Sequence, residues 1–279
     1  MPQSDSATFD TTIAILGAGN IGQAIAEGIV NSGEYKPEQL ILTRRNTYAL
    51  KELKDKGYQV QSDNRDAVRS AKTIIIAVQP QQLQNLLAEI RSDLDPERHL
   101  IISIITAVSI NAILKHAGKD LPVIRAMPNT AIAIGESMTC IAAREGFDDA
   151  IEHTVELFNL LGEAIVISEN QMTPATALVA CGIAFFLRAI RAASQGGIEI
   201  GFHADEALHM AAQTAKGAAS LLLKNRNHPE DEIDRVTTPN GCTIGGLNFM
   251  EHEGFSSAMI KGIVTSANLA EGLYVDNEN

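Results

Sequence analysis

Cysteine is scarce in this chain, and its three occurrences, Cys140, Cys181 and Cys242, lie far apart. They form no C-x-x-C pair, so neither a structural zinc site nor a disulfide framework is expected, and a reducing cytoplasm is the predicted setting. The chain also lacks any run rich in lysine and arginine, and its net charge is −12. Nucleic acid and anionic membrane surfaces are therefore not expected as partners.

Targeting and metal-binding patterns are missing as well. Residues 1–10 are polar and have no apolar stretch of the signal-peptide type, so we expect a flexible tail there. No apolar run approaches the length of a membrane span, and no membrane association is expected. The seven histidines show no H-E-x-x-H or similar spacing. A metal site, and with it a metal-dependent hydrolase, is not indicated.

The first part of the 279 residues alternates short apolar runs with helical patterns. Such alternation predicts an α/β fold, a Rossmann-like, mostly parallel sheet with helices on both faces. The clear strands are 12–16, 40–43, 73–78 and 100–105, and weaker candidates are 122–126, 138–142 and 164–167. Helices are predicted at 21–30 and 47–56, the second ended by Gly57.

From about Met172 the pattern becomes alanine-rich and helical, with helices predicted at 174–200, 204–224 and 256–273. No strand-like run stands out there. We therefore expect a dinucleotide-binding domain over residues 11–168 and an all-α domain over residues 169–279. A helix of more than 20 residues with several apolar faces needs a partner surface, which makes a dimer through the helical domain plausible.

The first chemical motif is Gly17-Ala18-Gly19-Asn20-Ile21-Gly22, which follows a strand and precedes a helix. In this context Gly17 permits the tight turn, Gly19 lets the backbone approach a pyrophosphate, and Gly22 lets the helix pack on the strand. A glycine turn without a ligand is the alternative. After the second strand stand Arg44 and Arg45 instead of an acidic residue, which favours a 2′-phosphate and thus NADPH, with NADH as the poorer alternative. Two solvated surface arginines are the alternative to this second reading.

Three later segments also lie at the ends of predicted strands, and the first two are candidates to line the nicotinamide half of the cofactor. The first is Ala77-Val78-Gln79-Pro80, and the second includes Ile104-Ile105-Thr106. The third is Arg125-Ala126-Met127-Pro128-Asn129-Thr130, which is equally typical of an ordinary Pro-Asn turn.

The most informative segment is Val236-Thr237-Thr238-Pro239-Asn240-Gly241-Cys242-Thr243-Ile244-Gly245-Gly246. Thr238 is predicted to cap a helix with Pro239 at its first position. The following amides would then be free to bind a small carboxylate, with Gly241 giving the anion room and Thr243 adding a hydroxyl. A plain capped helix start is the alternative that the local sequence leaves open.

Taken together and in this order, the motifs resemble those of pyrroline-5-carboxylate reductases, and the resemblance extends over the whole chain after the tail. It implies a Rossmann-like domain followed by a helical dimerisation domain, with dimers joined into a ring as a pentamer of dimers. It implies reduction of the C=N bond of 1-pyrroline-5-carboxylate to L-proline by NAD(P)H. The residues it implies for cofactor binding are Leu16, Gly17, Ala18, Gly19, Asn20, Ile21, Asn64, Ala77, Val78, Gln79, Pro80, Ile104, Ile105 and Thr106. The motifs described above add Gly22, Arg44, Arg45 and Asn129 to the predicted cofactor-binding residues. For the substrate it implies Thr238, Gly241, Cys242 and Thr243, the Thr243 hydroxyl being the catalytic group that bonds the substrate nitrogen.

The sequence departs from the family pattern at several positions. Gln79 replaces a common lysine, Ala131 a common proline, and Asn240 a common glycine. The start of the long helix, around Cys181 and Ile183, is less rich in serine, glycine and proline than usual. These departures bear on the shape of the substrate pocket and thus on which cyclic imine is accepted.

Three other functions remain as alternatives. A β-hydroxyacid dehydrogenase would need a lysine base on the first interdomain helix, but no lysine occurs between Lys119 and Lys216. A reductase of another cyclic imine acid would share this mechanism. A non-catalytic nucleotide-binding regulator would be expected to lose the segment from Thr238 to Thr243, which is intact here.

Overall fold

The structure, a computed structural model, describes residues 12–272. These residues form two compact units. The first comprises 12–180 together with 267–272, and the second comprises 181–266.

The first unit is built on one eight-stranded sheet with the strand order β3-β2-β1-β4-β5-β6-β7-β8. All neighbouring strands are parallel except β6 and β7, which are antiparallel. The strands are β1 (Ile13–Leu16), β2 (Leu40–Thr43), β3 (Gln59–Gln61), β4 (Thr73–Ile76), β5 (Leu100–Ser103), β6 (Val123–Met127), β7 (Ser137–Ala143) and β8 (Gly162–Val166). The α/β, mostly parallel fold expected from the sequence is confirmed.

Helices cover both faces of this sheet. They are α1 (Asn20–Asn31), α2 (Lys51–Asp55), α3 (Asn64–Ser70), α4 (Leu83–Ile90), α5 (Ile110–Ala117), α6 (Asp148–Asn159) and α7 (Met172–Ala175). Short 3₁₀ turns lie at Pro37–Gln39, Thr47–Leu50, Pro80–Gln82, Thr130–Ile134 and Glu169–Gln171. Alternate residues of β1 enter different cores: Ile13 and Ile15 pack with α1, whereas Ala14 and Leu16 pack with α3 and α4. The strands read as continuous apolar runs because both of their faces are buried.

Strand β3 was not expected, and its sequence explains why. Its three residues contain a single apolar side chain, Val60, and they have no burial pattern of a core strand. The strand exists because Gln59 and Gln61 pair in register with Ile41 and Thr43 of β2. The helix predicted at 47–56 is also altered, since its first turn is 3₁₀ and only Lys51–Asp55 is α-helical.

The second unit contains helices and no strand among its described residues. These helices are α8 (Gly182–Glu199), α9 (Ala204–Asn225), α10 (Pro229–Val236), α11 (Cys242–His252) and α12 (Phe255–Glu271), the last of which ends in the first unit. Helices α8 and α9 pack against each other, closely enough that a Cβ on Gly197 would lie 3.0 Å from Cβ of Ala207. Of the helix predicted at 256–273, the last residue falls outside the described range.

The helix predicted at 174–200 is interrupted at its start. A π-helical turn, Thr176–Cys181, separates α7 from α8. Such turns widen the helix by one residue and often accompany functional sites. No residue pattern in the sequence predicted this turn.

The expectation that no apolar run approaches the length of a membrane span was wrong. The continuous helical segment Glu169–Glu199 contains an 18-residue window with a mean hydropathy of 1.7, long and apolar enough by composition to cross a membrane. Only 22% of that window is buried within the chain. Core helices of soluble proteins that meet the same test are mostly buried, whereas an apolar helix that is mostly exposed in the single chain suits a subunit interface.

Candidate active site: a dinucleotide groove and a helix-start loop

The turn between β1 and α1 has the backbone that a dinucleotide-binding loop requires. Gly17 adopts a φ of +92°, and a Cβ there would lie 2.6 Å from Cγ1 of Val78. A Cβ on Gly22 would lie 3.1 Å from the carbonyl oxygen of Gly17. At Gly19 a Cβ would meet no atom closer than 4.0 Å, so this side of the loop is open. The close contacts at Gly17 and Gly22 are those that the motif predicts, and the role of Gly19 beside a pyrophosphate stays a prediction.

The amides of this loop divide into two groups. Those of Gly17 and Ala18 donate to the carbonyl oxygen of Thr43, at 3.2 and 2.8 Å. Those of Asn20, Ile21 and Gly22 begin α1 and come too early in the helix for an intrahelical acceptor. No side chain caps this helix start. A pyrophosphate therefore fits here, because free amides and the positive end of the helix dipole face an uncrowded side of the loop.

A groove of about 650 Å³ starts at this loop and runs along the ends of β2 and β4. It brings together several residues that the sequence predicted for cofactor binding: Gly17, Gly19, Arg44, Arg45, Asn64, Ala77, Val78 and Gln79. It also includes residues that the sequence reasoning missed: Thr43, Asn46, Ser62, Gln82, Asn85, Leu86 and Glu89. The missed residues sit on a strand end, a loop and one face of α4, and no glycine or charge motif marks them.

The two arginines lie where the sequence suggested, after β2 on the groove wall. Arg44 is half-buried, and its Nη1 donates to the carbonyl oxygen of Ala18 at 3.4 Å, which holds the guanidinium beside the glycine loop. Arg45 is exposed. Both residues line the groove.

A chain of side-chain hydrogen bonds crosses the same groove. Thr43 is buried, and its Oγ1 donates to Oδ1 of Asn64 at 2.6 Å. Asn64 Nδ2 in turn donates to both carboxylate oxygens of Glu89, at 3.2 and 3.1 Å. The amide of Asn64 therefore has a defined orientation, with its oxygen toward β2 and its nitrogen toward α4.

Other predicted cofactor residues are not part of the groove wall. Leu16, Ala18, Ile104 and Ile105 have buried side chains that belong to the cores and do not line the groove. Asn20, Ile21, Gly22, Pro80 and Thr106 do not line the groove either. The Asn129 side chain accepts from the Ala131 amide at 2.9 Å and caps the following 3₁₀ turn. This is the contact expected of an ordinary Pro-Asn turn.

Arg125, at the start of the same motif, is a buried cation. It is 5% exposed, and its Nη1 lies 3.3 Å from Oε1 of Glu169. The same carboxylate oxygen accepts from the Ile110 amide at 2.7 Å. Burial lowers the pKa of the Arg125 guanidinium below its usual value, and the carboxylate of Glu169 opposes that shift. The motif thus ties the start of α5 to the segment that leads into α7.

The loop before α11 differs from its sequence prediction in where the helix begins. Thr238 is not the cap, and Pro239 is not the first helical residue; α11 starts at Cys242 with Gly241 as its N-cap. Residues 238–241 instead form a tight turn, closed by the Gly241 amide donating to the Thr238 carbonyl oxygen at 2.9 Å. Asn240 has a φ of +58°, a conformation that asparagine tolerates better than most residues.

This turn also assigns a different role to Gly241. A Cβ there would lie 2.5 Å from Oγ1 of Thr238, so the glycine is needed for the turn to close. The first-turn amides are those of Cys242, Thr243 and Ile244, and no acidic residue occupies that turn. The Thr243 side chain is half-buried and that of Cys242 is exposed. The loop keeps the free amides and hydroxyl that the sequence indicated, shifted along the chain.

Comparison with known families divides the chain in a similar way. Residues 169–273 match the family model described as pyrroline-5-carboxylate reductase dimerisation. Residues 12–107 match the model described as NADP oxidoreductase, coenzyme F420-dependent. The first unit is therefore an NADP-type dinucleotide-binding domain of an oxidoreductase, and the helical region is one through which such chains form homo-oligomers.

Individual relatives agree with both matches. The chain is 54% identical to pyrroline-5-carboxylate reductase 1 of Dictyostelium discoideum over 97% of its own residues, but it spans only 51% of that relative's length. It is 52% identical to pyrroline-5-carboxylate reductase 2 of the same organism, covering 91% of this chain and 90% of the relative.

Solved structures show the same fold. A pyrroline-5-carboxylate reductase from Coxiella burnetii, 27% identical, superposes with a TM-score of 0.86 over 95% of this chain and 99% of its own. A pyrroline carboxylate reductase from Plasmodium falciparum with NADP bound, 23% identical, gives 0.84 over 95% and 98%. On the strength of the helical-domain model and the relative matched over nearly its full length, the chain belongs to the pyrroline-5-carboxylate reductase family.

Proposed function

We propose that this protein reduces the C=N bond of 1-pyrroline-5-carboxylate to give L-proline, with NADPH as the preferred reductant. The observation that carries the proposal is the pairing, in one chain of this family, of a dinucleotide groove with the Thr238–Thr243 loop. The groove belongs to the first unit and the loop to the second. When bound, the reduced nicotinamide supplies the hydride that the C=N carbon accepts.

The proposed carboxylate site is the start of α11. Its 11 residues have no side-chain cap and no acidic residue in the first turn, so the amides of Cys242 and Thr243 and the helix dipole are available to an anion. Thr238 and Gly241 shape this site through the tight turn that precedes it. A small carboxylate can thus be bound without a lysine or arginine.

Thr243 is the proposed catalytic residue. Hydride addition to an imine turns its nitrogen into an amine, and negative character grows there unless a proton arrives. A hydroxyl donor directed at that nitrogen stabilises the change. Because a threonine hydroxyl is a weak acid, its expected role is to position and relay a proton from water.

The preference for NADPH over NADH rests on Arg44 and Arg45. They follow β2, where dinucleotide-binding folds contact the 2′-position of the adenosine ribose, and they stand in place of an acidic residue there. Guanidinium groups pair with phosphate oxygens through two donors at once.

Assembly and location complete the proposal. Exposed apolar side chains such as Phe186, Leu187, Ile260 and Val264 cover the helices of the second unit, as expected of a homodimer surface. Joining of dimers into a ring of five pairs, and a cytoplasmic location, are proposed with the activity. The particle mass in solution measures the first of these.

The direct test is NADPH oxidation by the purified protein with 1-pyrroline-5-carboxylate, beside its six-membered homologue and the isomeric 2-carboxylate imines. Thr243→Val should lower kcat about 100-fold or more, and Thr243→Ser, which keeps the hydroxyl, should retain most of it. Turnover of an analogue alone would show that the substrate is another cyclic imine acid. Gln79 and Asn240, which depart from the family pattern, are the reason for including these analogues. NADPH binding without turnover of any imine would favour a nucleotide-binding regulator.

A further inference from the structure

An anionic side chain lies in the wall of the dinucleotide groove. Glu89 of α4 lines the same groove as Gly17, Gly19, Arg44 and Arg45. A dinucleotide phosphate carries several negative charges, and a carboxylate close to any of them would weaken binding. Glu89 is therefore expected to face a part of the ligand that carries no charge.

The carboxylate of Glu89 is exposed, and Asn64 is its hydrogen-bond partner. Both of its oxygens accept from Nδ2 of Asn64, at 3.2 and 3.1 Å. Asn64 is in turn held by the 2.6 Å bond from Thr43 Oγ1, and the carbonyl of Thr43 accepts the amides of the glycine loop. The position of Glu89 is thus coupled to the backbone that would bind the pyrophosphate.

The order of residues along the groove indicates which part of the ligand meets Glu89. The glycine loop suits the pyrophosphate, and Arg44 and Arg45 after β2 suit the 2′-substituent of the ribose. What remains is the wall formed by α4. There Leu86, only 6% exposed, offers an apolar surface, and Asn85 and Glu89 stand one helical turn apart. An apolar surface with a polar edge is what a flat, uncharged base requires.

We propose that Glu89 recognises the adenine of the cofactor by accepting a hydrogen bond from its C6 amino group, with Asn64 as the residue that positions the carboxylate. An ionised carboxylate only accepts hydrogen bonds, and the C6 amino group is the donor on the edge of adenine. The carboxylate then meets the one exocyclic donor of the base and stays apart from the phosphates. The inference rests on the proposed use of an adenine dinucleotide.

The test compares two cofactors whose bases differ at C6 and at the adjacent N1, which carries a hydrogen in hypoxanthine. In nicotinamide hypoxanthine dinucleotide phosphate a carbonyl oxygen replaces the C6 amino group, and it would face the carboxylate of Glu89. Dissociation constants for both compounds are measured by calorimetry in the absence of any imine. The wild-type protein should bind the hypoxanthine compound about tenfold more weakly than the adenine compound, the effect of losing a hydrogen bond to a charged group.

Glu89→Gln is the informative variant. Its amide oxygen can still accept from Asn64, while its nitrogen can donate to a carbonyl, so the tenfold ratio should fall to about twofold or less. Glu89→Ala, which favours neither compound, should also abolish the ratio. Glu97→Gln, an exposed change outside the groove, should keep it. An equal ratio in wild type and Glu89→Gln, or no discrimination by the wild type, would overturn the proposal.

Failure of this inference is distinguishable from failure of the proposed function. Binding without any imine reports on the adenine alone, so a protein that discriminates as expected but does not reduce 1-pyrroline-5-carboxylate contradicts only the activity. A general electrostatic effect of Glu89 would tighten both compounds equally in Glu89→Gln and leave their ratio unchanged, which also contradicts the proposal.

Discussion

Thr43 joins two segments of the dinucleotide groove. Its side-chain Oγ1 donates to Oδ1 of Asn64 at 2.6 Å, while its backbone carbonyl oxygen accepts hydrogen bonds from the amides of Gly17 and Ala18. The end of β2 therefore supports both the glycine loop and the start of α3. Thr43 must therefore supply a hydroxyl group for Asn64 in addition to fitting a buried position of the strand.

The first prediction concerns that bond. Thr43→Val keeps the shape of the side chain but leaves Oδ1 of Asn64 without its donor, so NADPH should bind roughly five- to tenfold more weakly. Thr43→Ser keeps the hydroxyl and serves as the control. Calorimetry measures the dissociation constant of NADPH for each protein. Equal affinity of the valine variant and the wild type would contradict the prediction.

The second prediction concerns cofactor preference. In the double variant Arg44→Ala, Arg45→Ala the 2′-phosphate loses two charge-assisted donors, so the Kd of NADPH should rise about 30-fold or more while that of NADH changes by about threefold or less. Lys51→Ala, which removes an exposed cation outside the groove, is the control. Equal losses of affinity for the two cofactors would mean that the arginines do not bind the 2′-phosphate.

The third prediction separates backbone strain from close contact. Gly17 and Gly33 both have positive φ, +92° and +86°, but a Cβ at Gly33 would meet nothing within 4 Å. Gly33→Ala should therefore cost about 1 kcal/mol of unfolding free energy, and Gly17→Ala about 2–4 kcal/mol, since it adds a clash with Val78. Urea unfolding of both variants measures the difference, and similar losses would show that the contact with Val78 relaxes freely.

The fourth prediction concerns the buried Arg125. Glu169→Gln keeps an acceptor for the guanidinium but removes its counter-charge, so unfolding free energy should fall by about 1–3 kcal/mol. Glu163→Gln, on the exposed surface of β8, should change it by less than about 0.5 kcal/mol. Chemical denaturation at neutral pH provides the comparison. Equal stability of the two variants would show that Arg125 does not depend on Glu169.

The fifth prediction concerns the apolar surface of the second unit. Because a homo-oligomer is stabilised by mass action, the Tm should rise with protein concentration. Ile260→Glu, a charge at a side chain 61% exposed in the single chain, should weaken assembly and lower the sedimentation coefficient. Tyr48→Glu, at an exposed site in the first unit, is the control. If both variants sediment like the wild type, Ile260 lies outside the interface.

Family resemblance and local sequence patterns together predicted much of the fold and of the candidate site. Strands β1, β2, β4 and β5 were predictable because both faces of a central parallel strand are buried, which requires nearly continuous apolar runs. The glycine loop was predictable because Gly17 and Gly22 serve separate steric needs. Strand β3 and the π turn at Thr176–Cys181 were not, because their short segments carry no periodic pattern of their own.

By itself, then, the sequence determined the class of fold and the dinucleotide loop, since these depend on local sterics and on apolar periodicity. The tertiary structure alone decided how the parts meet. Thr43 and Asn64 are 21 positions apart, and Asn64 and Glu89 are 25 apart, so only the packing of β2, α3 and α4 unites them. The start of α11 at Cys242 was likewise decided by closure of the preceding turn, in which the Gly241 amide donates to the Thr238 carbonyl oxygen at 2.9 Å.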